Sequence, residues 1–519
     1  MHPALALPEI LGHILQNLGP KDLKNCTTVS RQWWEESTTV LWEEVTLSDC
    51  AQLLPGVTCT EIPTERMGVM AFTIPSRGPP PVEKLRYHVN VTRELQPADW
   101  TRFQVHAPFV KHLRLSSSVN HNEIFPVLKD YQSNGPLFRN LKRLQVEEVE
   151  PSHKQSEFIS LFTSPGVRHV DIRQSRPDSA LAESLIPTVP RLYPSLSSLI
   201  IHLPSYTMRS SETVIDAVKL YPSLTGLEVR TTPQELAQVV ELASQMECLT
   251  RATFLGVGNT DTTLPDDSFK LIQSLRVEGR GIEGIRRIAS SVTSSDLQRL
   301  DVMWAPESTP VSEADYLPTL DRFQKLRVLR LNAPASFMLY SCIAPALNCH
   351  GLEEVSIRAR TSDFSQEVLR TMAHSWPNLR HLELAPAGPV LTGIPSLGML
   401  RCFAESCPKL KTLSARVRLD LADDTLNEMR QEAPGVGSAL RRISVGRSVI
   451  MVPESETETS ERVKESLKDV ATALLASWPN LVMLGFDTKG AYAERWAHLQ
   501  NELNELRKGL SAPSSTNYA

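Results

Sequence analysis

The chain has 519 residues, and 54 lysines and arginines against 59 aspartates and glutamates leave a formal net charge of −5. This near balance, with a pI near 6.3, argues against a nucleic-acid-binding protein, whose binding domain is normally basic. Hydrophobic residues make up 41% of the chain, which excludes disorder throughout, and 23 glycines against 37 prolines disfavour an enzyme with a glycine-rich nucleotide loop.

The cysteine pattern indicates an intracellular protein. Eight dispersed cysteines form no CxxC pair, and the opening residues carry Glu9 inside their apolar stretch, unlike a secretory signal. We therefore expect reduced thiols and a cytoplasmic and/or nuclear location. Residues 333–351 lack charged side chains, but Pro334 and Pro345 argue against a membrane span. We expect a buried helix with flanking loops there, and no membrane partner.

Residues 1–46 are predicted to form a module of three short helices. Pro8 suits the first turn of a helix, and Gly19-Pro20 ends it after apolar residues at helical spacing, namely Ile10, Leu11, Ile14, Leu15 and Leu18. Forty residues make a poor independent core. The module nevertheless carries Trp33, Trp34 and many aliphatic side chains, which favours a surface that another protein covers.

A repeat follows the module. The pattern apolar-x-x-apolar-x-apolar occurs fourteen times with a mean spacing of about 28.5 residues, near the top of the range for leucine-rich repeats. The copies begin at Val110, Leu141, Val167, Leu196, Leu224, Leu249, Ile272, Leu297, Leu326, Leu352, Leu379, Leu410, Leu440 and Leu481, with a possible earlier copy at Val82. Several follow an aromatic-Pro pair, which ends a helix before the next strand.

Helical patterns lie between the copies, for example over residues 233–246 and 365–373. We therefore predict an α/β fold: a curved solenoid over residues 82–490, with one parallel sheet lining the concave face and helices outside. Residues 47–81 would be a linker and a first irregular repeat. Leucine-rich repeats carry an Asn or Cys eight positions after the first apolar residue of each copy. All fourteen copies lack it here, which predicts an irregular stack.

The strand pattern also names candidate target contacts. Side chains between the apolar positions of a strand point away from the core, here toward the concave face. The candidates are Arg276, Asp301, Met303, Trp304, Arg330 and Arg358, with Trp304 expected to be exposed just past its strand. The alternative is a solvated face without a partner.

A glycine motif needs a separate interpretation. Gly279, Gly281 and Gly284 form GxGxxG after a strand pattern, with Asp301 twenty residues after Gly281, as in a dinucleotide site. The strand before the motif and the strand that carries Asp301 both belong to the repeat. We therefore interpret these residues as loop glycines, and a nucleotide-binding enzyme remains an alternative. We expect no cofactor, no metal and no catalytic residue, since the chain has no HExxH, GxSxG or P-loop motif.

The C-terminal region contains two further predicted segments. Residues 452–466 are acidic and rich in Ser and Thr, and we expect a mobile insertion, or alternatively a regulatory phosphosite cluster. Residues 491–510 are predicted to form a capping helix with its apolar residues at helical spacing, namely Trp496, Leu499, Leu503, Leu506 and Leu510. A disordered tail, 511–519, would follow.

The N-terminal module resembles an F-box. Leu7-Pro8-Glu9-Ile10 fits the family pattern with one residue deleted, and Asp22-Leu23, Val29-Ser30-Arg31-Gln32-Trp33 and Leu41-Trp42 follow in the family order. Residues 82–490 resemble leucine-rich repeats. The resemblance implies a non-enzymatic substrate receptor of an SCF-type ubiquitin ligase, which binds a Skp-type adaptor and, through it, a cullin. It places the adaptor contacts at Leu7, Pro8, Ile10, Leu11, Ile14, Leu18, Leu23, Val29 and Trp33.

In this interpretation the repeats hold an unidentified target protein for ubiquitylation. The receptor raises the effective concentration of that target near the transferring enzyme, so the chain itself needs no nucleophile. The alternative is a leucine-rich-repeat interaction scaffold without a link to ubiquitylation, whose N-terminal helices only cap the solenoid.

Overall fold

The computed structural model describes residues 7–62, 86–116, 119–132, 135–147, 158–174, 185–204, 212–258, 264–280, 282–304, 320–338, 343–362, 364–386, 395–420, 439–446, 448–451, 461–487 and 492–511. The chain divides into two compact units, Met1–Leu249 and Thr250–Ala519.

The first unit opens with the three predicted helices: α1 (Pro8–Gln16), α2 (Pro20–Cys26) and α3 (Arg31–Glu43). Proline stands at the start of α1 and α2, where its missing N–H costs no hydrogen bond. Ser30 caps α3 by accepting a hydrogen bond from the Trp33 amide at 3.3 Å. The three helices pack around a core of Leu11, Leu15 and Leu23.

The strands of this unit are β1 (Glu44–Thr46), β2 (Val57–Ile62), β3 (Arg86–Val91), β4 (His112–Leu115), β5 (Val119–Asn120), β6 (Arg143–Glu147), β7 (His169–Arg173), β8 (Ser198–His202) and β9 (Gly226–Arg230). Strands β1, β4, β6, β7, β8 and β9 pair in parallel in this order. The sheet therefore begins inside the N-terminal module, with a copy of the repeat at Trp42, Val45 and Leu47 that the sequence analysis missed.

A second, smaller sheet lies beside the first. Strand β3 pairs antiparallel with β2 and parallel with β5. Tyr87 belongs to β3, so the possible early copy of the repeat at Val82 is wrong as a strand of the main sheet; Val82 and Leu85 lie outside the described residues. Residues 47–62, predicted as linker, contain α4 (Leu47–Ala51) and β2.

Helices alternate with the strands, as predicted. The first unit also contains α5 (Thr101–His106), α6 (Ile124–Gln132), α7 (Val189–Leu192), α8 (Thr213–Lys219) and α9 (Pro233–Ser244), with 3₁₀ turns at Pro97–Trp100, Ala107–Phe109, Ser160–Phe162 and Ile186–Thr188. In α9 the predicted apolar face is buried, as shown by Leu236, Val239, Val240 and Ala243. Helix α9 confirms the predicted element at residues 233–246 to within two residues.

The strands of the second unit are β10 (Arg251–Val257), β11 (Ser274–Gly279), β12 (Arg299–Trp304), β13 (Val328–Met338), β14 (Glu354–Ser362), β15 (His381–Pro386), β16 (Thr412–Ala415), β17 (Arg418–Asp420), β18 (Arg442–Gly446), β19 (Val449–Met451) and β20 (Met483–Phe486). All pair in parallel in chain order, except that β17 and β19 form a separate pair. The last two apolar residues of all fourteen predicted copies lie in strands, which confirms the repeat.

The helices of the second unit are α10 (Ile282–Ser291), α11 (Gln366–Ser375), α12 (Arg401–Ser406), α13 (Glu461–Ser477) and α14 (Ala493–Ser511), with 3₁₀ turns at Ala344–Ala346 and Gly398–Leu400. Within residues 333–351, β13 occupies residues 333–338, the buried Ile343 is helical and is followed by the 3₁₀ turn, and residues 339–342 lie outside the described residues, so the buried helix expected there stays a prediction. Among the described residues no helix is both long and apolar enough to cross a membrane.

The aromatic-Pro pairs tie neighbouring repeats together. Tyr221 and Trp376 are buried, and each donates a hydrogen bond to the backbone of the preceding repeat. The Tyr221 hydroxyl donates to the carbonyl of Tyr193 at 2.9 Å, and the Trp376 indole to that of Ala346 at 3.1 Å. Each ring therefore fills the core and satisfies its polar atom at the same time.

The C-terminal elements differ from prediction in one respect. Helix α13 begins at Glu461 and buries Val463, so the mobile insertion predicted at 452–466 is wrong for residues 461–466; residues 452–460 lie outside the described residues. Helix α14 lies where the capping helix is predicted and buries Trp496, Leu499 and Leu503.

Candidate functional site

Helix α1 carries two apolar stripes. Leu11 and Leu15 are fully buried against α2 and α3. Leu7, Ile10 and Ile14 keep 51%, 40% and 37% of their surface exposed. Residues three and four positions apart share one face of a helix, so these three side chains form an outward stripe beside the buried one.

Val29, between α2 and α3, is also exposed, at 56%. We refer to the exposed apolar residues Leu7, Pro8, Ile10, Ile14 and Val29 together as the N-terminal apolar surface. Four of the nine large hydrophobic side chains that are exposed among the described residues lie within residues 7–29. Such a concentration marks an interaction site, whereas single exposed hydrophobic residues are ordinary.

Two predicted adaptor contacts occupy a different place. Leu11 and Leu23 belong to the core of the helical module and are only 0% and 5% exposed, so they offer a partner almost no surface. We correct the prediction for both residues. Leu11, on the buried stripe of α1, and Leu23, on α2, hold the three helices of the module together. Leu18 and Trp33 are half-buried and pack against that core.

The module is joined to the sheet through α3 and β1. Glu44, Val45 and Thr46 pair with β4, and the Lys111 amide donates to the Glu43 carbonyl at 3.1 Å. Trp42 stacks on His106 with ring centroids 4.6 Å apart. Burial, and then the charge of Arg102, lower the pKa of His106 below its usual value. The module therefore caps the sheet with one side and keeps its apolar surface on another.

Five of the six predicted target contacts lie on one face of the second unit, and Trp304 is the exception. Arg276, Asp301 and Arg330 occupy one row across β11, β12 and β13. The charges on this face are paired with one another: Asp301 with Arg299 at 2.8 Å, Arg330 with Glu354 at 2.5 Å, and Arg358 with Glu383 at 2.7 Å. Exposed pairs of this kind stabilise the fold little, and a ligand would have to separate them.

Trp304 is a correction. It was expected to be exposed beyond its strand, but it is the last residue of β12 and only 2% exposed. Leu300, Val302 and Trp304 alternate along the strand, so period two places the indole in the core. Met303 is half-exposed, and the Asn332 amide lies 3.4 Å from its sulfur.

The glycine motif serves packing. A Cβ at Gly279 would lie 2.3 Å from the Val257 carbonyl oxygen, and one at Gly284 would lie 2.1 Å from that of Gly258. Only glycine permits this close approach of α10 and β11 to the preceding strand. The carbonyl oxygens against these glycines would also repel a phosphate. Gly281 lies outside the described residues.

Cys349, Cys402 and Cys407 are core residues, whereas His350, next to Cys349, is exposed. The Cys407 thiol lies 3.4 Å from the Trp376 carbonyl, and burial raises its pKa to about 12. The His350 ring nitrogen Nδ1 bonds the Ser375 carbonyl at 2.9 Å. In the described part of the chain no three His, Cys, Asp or Glu side chains are grouped to hold a metal ion.

Comparison with known proteins identifies the N-terminal module. Residues 8–48 match the F-box-like family. No curated protein matches the chain in sequence. Three solved structures resemble it: the leucine-rich-repeat protein LegL7 from Legionella pneumophila (14% identity, 64% of this chain and 96% of that chain, TM-score 0.33), an internalin, InlF, from Listeria monocytogenes (11%, 72% and 92%, 0.34), and the yeast Rad7 and Elc1 complex (13%, 61% and 73%, 0.35). At these TM-scores the repeat assignment depends on the strand register and spacing of this chain itself.

Proposed function

Residues 8–48 form an F-box-like domain, and we propose that through it the chain serves as the substrate-recognition subunit of an SCF-type E3 ubiquitin ligase. The N-terminal apolar surface would dock on a Skp-type adaptor and, through it, on a cullin. The repeats would hold the target protein. The observation that carries this proposal is the exposed apolar stripe of Leu7, Ile10 and Ile14, of which Ile10 and Ile14 lie inside the matched domain and Leu7 directly precedes it.

The proposed chemistry is proximity. Docking buries apolar side chains at about 25 cal/mol per Å² of surface removed from water, which favours a stable complex. A bound target then stays at high effective concentration near the ubiquitin-carrying enzyme. The chain acts as an adaptor in the cytoplasm and/or nucleus and contributes no catalytic group of its own.

The test of docking is isothermal titration calorimetry of the whole chain with a purified Skp-type adaptor. The double variant Ile10→Ser and Ile14→Ser should weaken binding by about 2 kcal/mol or more per residue if both are hot spots. The matched control is Val105→Ser with Leu220→Ser, two exposed hydrophobic residues of the same unit outside α1 to α3. Equal affinity of wild type and the first double variant would overturn the proposal.

The target requires a cellular experiment. Affinity capture under proteasome inhibition should recover ubiquitylated proteins with the wild-type chain and lose the ubiquitin signal, but not the captured proteins, with the Ile10→Ser and Ile14→Ser variant. A deletion of residues 1–46 is a poor control, because it removes β1 and opens the edge of the sheet at β4.

The second candidate function is a leucine-rich-repeat scaffold without ubiquitylation. The pairing of β1 with β4 favours it, since a cap alone would need that contact. If the chain is only a scaffold, it does not bind the adaptor. The wild type and the Ile10→Ser and Ile14→Ser variant then capture the same proteins, and neither capture carries a ubiquitin signal. The calorimetric titration separates the two functions.

A further inference from the structure

A row of basic residues runs across the sheet of the second unit along the edge at which its strands begin. The residue before each strand donates its N–H to the carbonyl of the corresponding residue one repeat earlier. The bonds run from Arg327 to Gln298, Glu353 to Arg327, Arg380 to Glu353, Lys411 to Arg380 and Arg441 to Lys411, at 2.7 to 3.0 Å. Four of these six positions are cationic, and the backbone ladder fixes the spacing of their side chains.

This edge is hollowed into a groove of about 390 Å³. We call it the basic groove. The described residues that line it are Gln298, Gln324, Lys325, Arg327, Gly351, Glu353, Asn378, Arg380 and Lys409, and none of them carries an apolar side chain. Four cations therefore face one carboxylate.

The carboxylate does not neutralise the groove. Glu353 is shared between Arg327 at 3.5 Å and Arg380 at 3.4 Å. Lys409 bonds the neutral amide oxygen of Asn378 at 2.8 Å. Lys325 pairs with Asp296 at 2.5 Å. Counting both acids, these four cations keep two positive charges in excess, at side chains that remain open to solvent.

We propose that the basic groove binds an acidic segment of a partner polypeptide in an extended conformation. Arg327 and Lys409 belong to repeats three strands apart, which at about 4.8 Å per strand separates them by about 14 Å. An extended chain covers that distance in about four residues, so several carboxylates are required and one small anion does not suffice. Gln298, Gln324 and Asn378 carry amides that both donate to and accept from peptide groups.

The lining favours a polypeptide over a nucleic acid. Among the described residues that line the groove none is aromatic, so these residues offer bases no surface on which to stack. Glu353 at its centre would repel a continuous phosphate backbone. If the chain is the proposed ligase subunit, the acidic segment belongs to its target; that identity rests on the proposed function, whereas the binding itself does not.

The experiment is a fluorescence anisotropy titration of fluorescein-labelled hexaglutamate with the whole chain at low ionic strength. Lys409→Glu and Arg380→Glu should each weaken binding about tenfold, because each change replaces an attraction by a repulsion. Lys468→Glu, on the exposed side of α13, changes the net charge equally and should leave binding unchanged. Raising the salt to 1 M, where the Debye length falls to about 3 Å, should abolish the signal.

Three results would overturn the proposal: no binding of hexaglutamate to the wild type, an equal loss with Lys468→Glu, or tighter binding of a 12-nucleotide oligouridylate that the groove variants abolish. Circular dichroism melting of each variant verifies its fold. The Lys409→Glu variant should bind the adaptor with the affinity of the wild type. Loss of hexaglutamate binding and loss of adaptor binding can therefore be told apart.

Discussion

The two ends of the repeat array close their sheets in different ways. At the C-terminal end, α14 covers β20: the Gln500 side-chain carbonyl accepts the Leu484 N–H at 2.5 Å, and the Trp496 indole donates to the Ser448 carbonyl at 3.2 Å. The apolar residues Trp496, Leu499 and Leu503 are all buried. This helix has the composition of a cap and nothing more.

The N-terminal module also closes a sheet, but it contains more than a cap needs. Strand β1 and the Trp42–His106 stack perform the closure. Helix α1 adds an outward stripe of Leu7, Ile10 and Ile14, whose side chains stay exposed in the described part of the chain. Capping of a sheet accounts for the buried apolar residues of α14, but it does not account for the exposed apolar stripe of α1. That stripe is the surface that a partner would bind.

The C-terminal cap should be the more sensitive end. Trp496→Ala removes a ring that is 1% exposed together with its hydrogen bond, and we expect a loss of about 3–5 kcal/mol in the free energy of unfolding. Urea denaturation followed by circular dichroism measures it. Glu494→Ala, an exposed change on the same helix, should stay within about 0.5 kcal/mol. A loss below about 1 kcal/mol for Trp496→Ala would show that α14 does not hold the edge.

The two stripes of α1 should respond in opposite ways. Leu11→Ala opens a cavity in the small core and should cost about 2–5 kcal/mol, seen as faster hydrogen exchange over residues 8–43. Ile14→Ala removes exposed atoms and should change stability by less than about 0.5 kcal/mol. If both substitutions destabilise the module equally, the outward stripe is covered in solution and the comparison of the two ends fails.

The edge of β20 provides a finer test. Gln500→Leu leaves the Leu484 N–H without its acceptor, and we expect a loss of about 1–3 kcal/mol. Gln500→Glu keeps an acceptor at that position and should recover most of the stability at neutral pH. Equal melting temperatures for the two variants would contradict a role of Gln500 in closing the edge.

The smallest expected effect is a pH dependence at the N-terminal junction. The pKa of His106 is lowered in the folded state, so the unfolded chain binds the proton more readily. The stabilising contribution is present above the unfolded value of 6.5 and is lost as the pH falls toward the lowered native value. Tryptophan-fluorescence melts at pH 7.5 and 5.5 measure it. His106→Gln should reduce the difference between the two melts, and an unchanged difference would reject the assignment.

The repeat could be predicted from sequence because alternating apolar residues identify a strand with one face in the core. Leu300 and Val302 identify β12 without any knowledge of its neighbours. The same logic should have placed Trp304 in the core, since it continues the alternation. The copy at Trp42, Val45 and Leu47 was missed because the predicted boundary between the helical module and the linker, after residue 46, divides it.

The site was predicted less completely. All five residues of the N-terminal apolar surface were among the predicted contacts, but so were Leu11 and Leu23. A helix with apolar residues on two adjacent stripes does not reveal which stripe faces the core until its neighbours are placed. The basic groove was not predicted, because its cations are spread over repeats about 28 residues apart and only the backbone ladder brings them together.

The account depends on an apolar stripe that is free in the chain and covered in the complex. The most direct measurement is the alkylation rate of a cysteine placed at position 14 by Ile14→Cys, read by mass spectrometry with and without a saturating Skp-type adaptor. We predict rapid labelling in the chain alone, strong protection by the adaptor, and no labelling at a Leu499→Cys position in either state. Slow labelling in the free chain, or unchanged labelling in the presence of the adaptor, would contradict it.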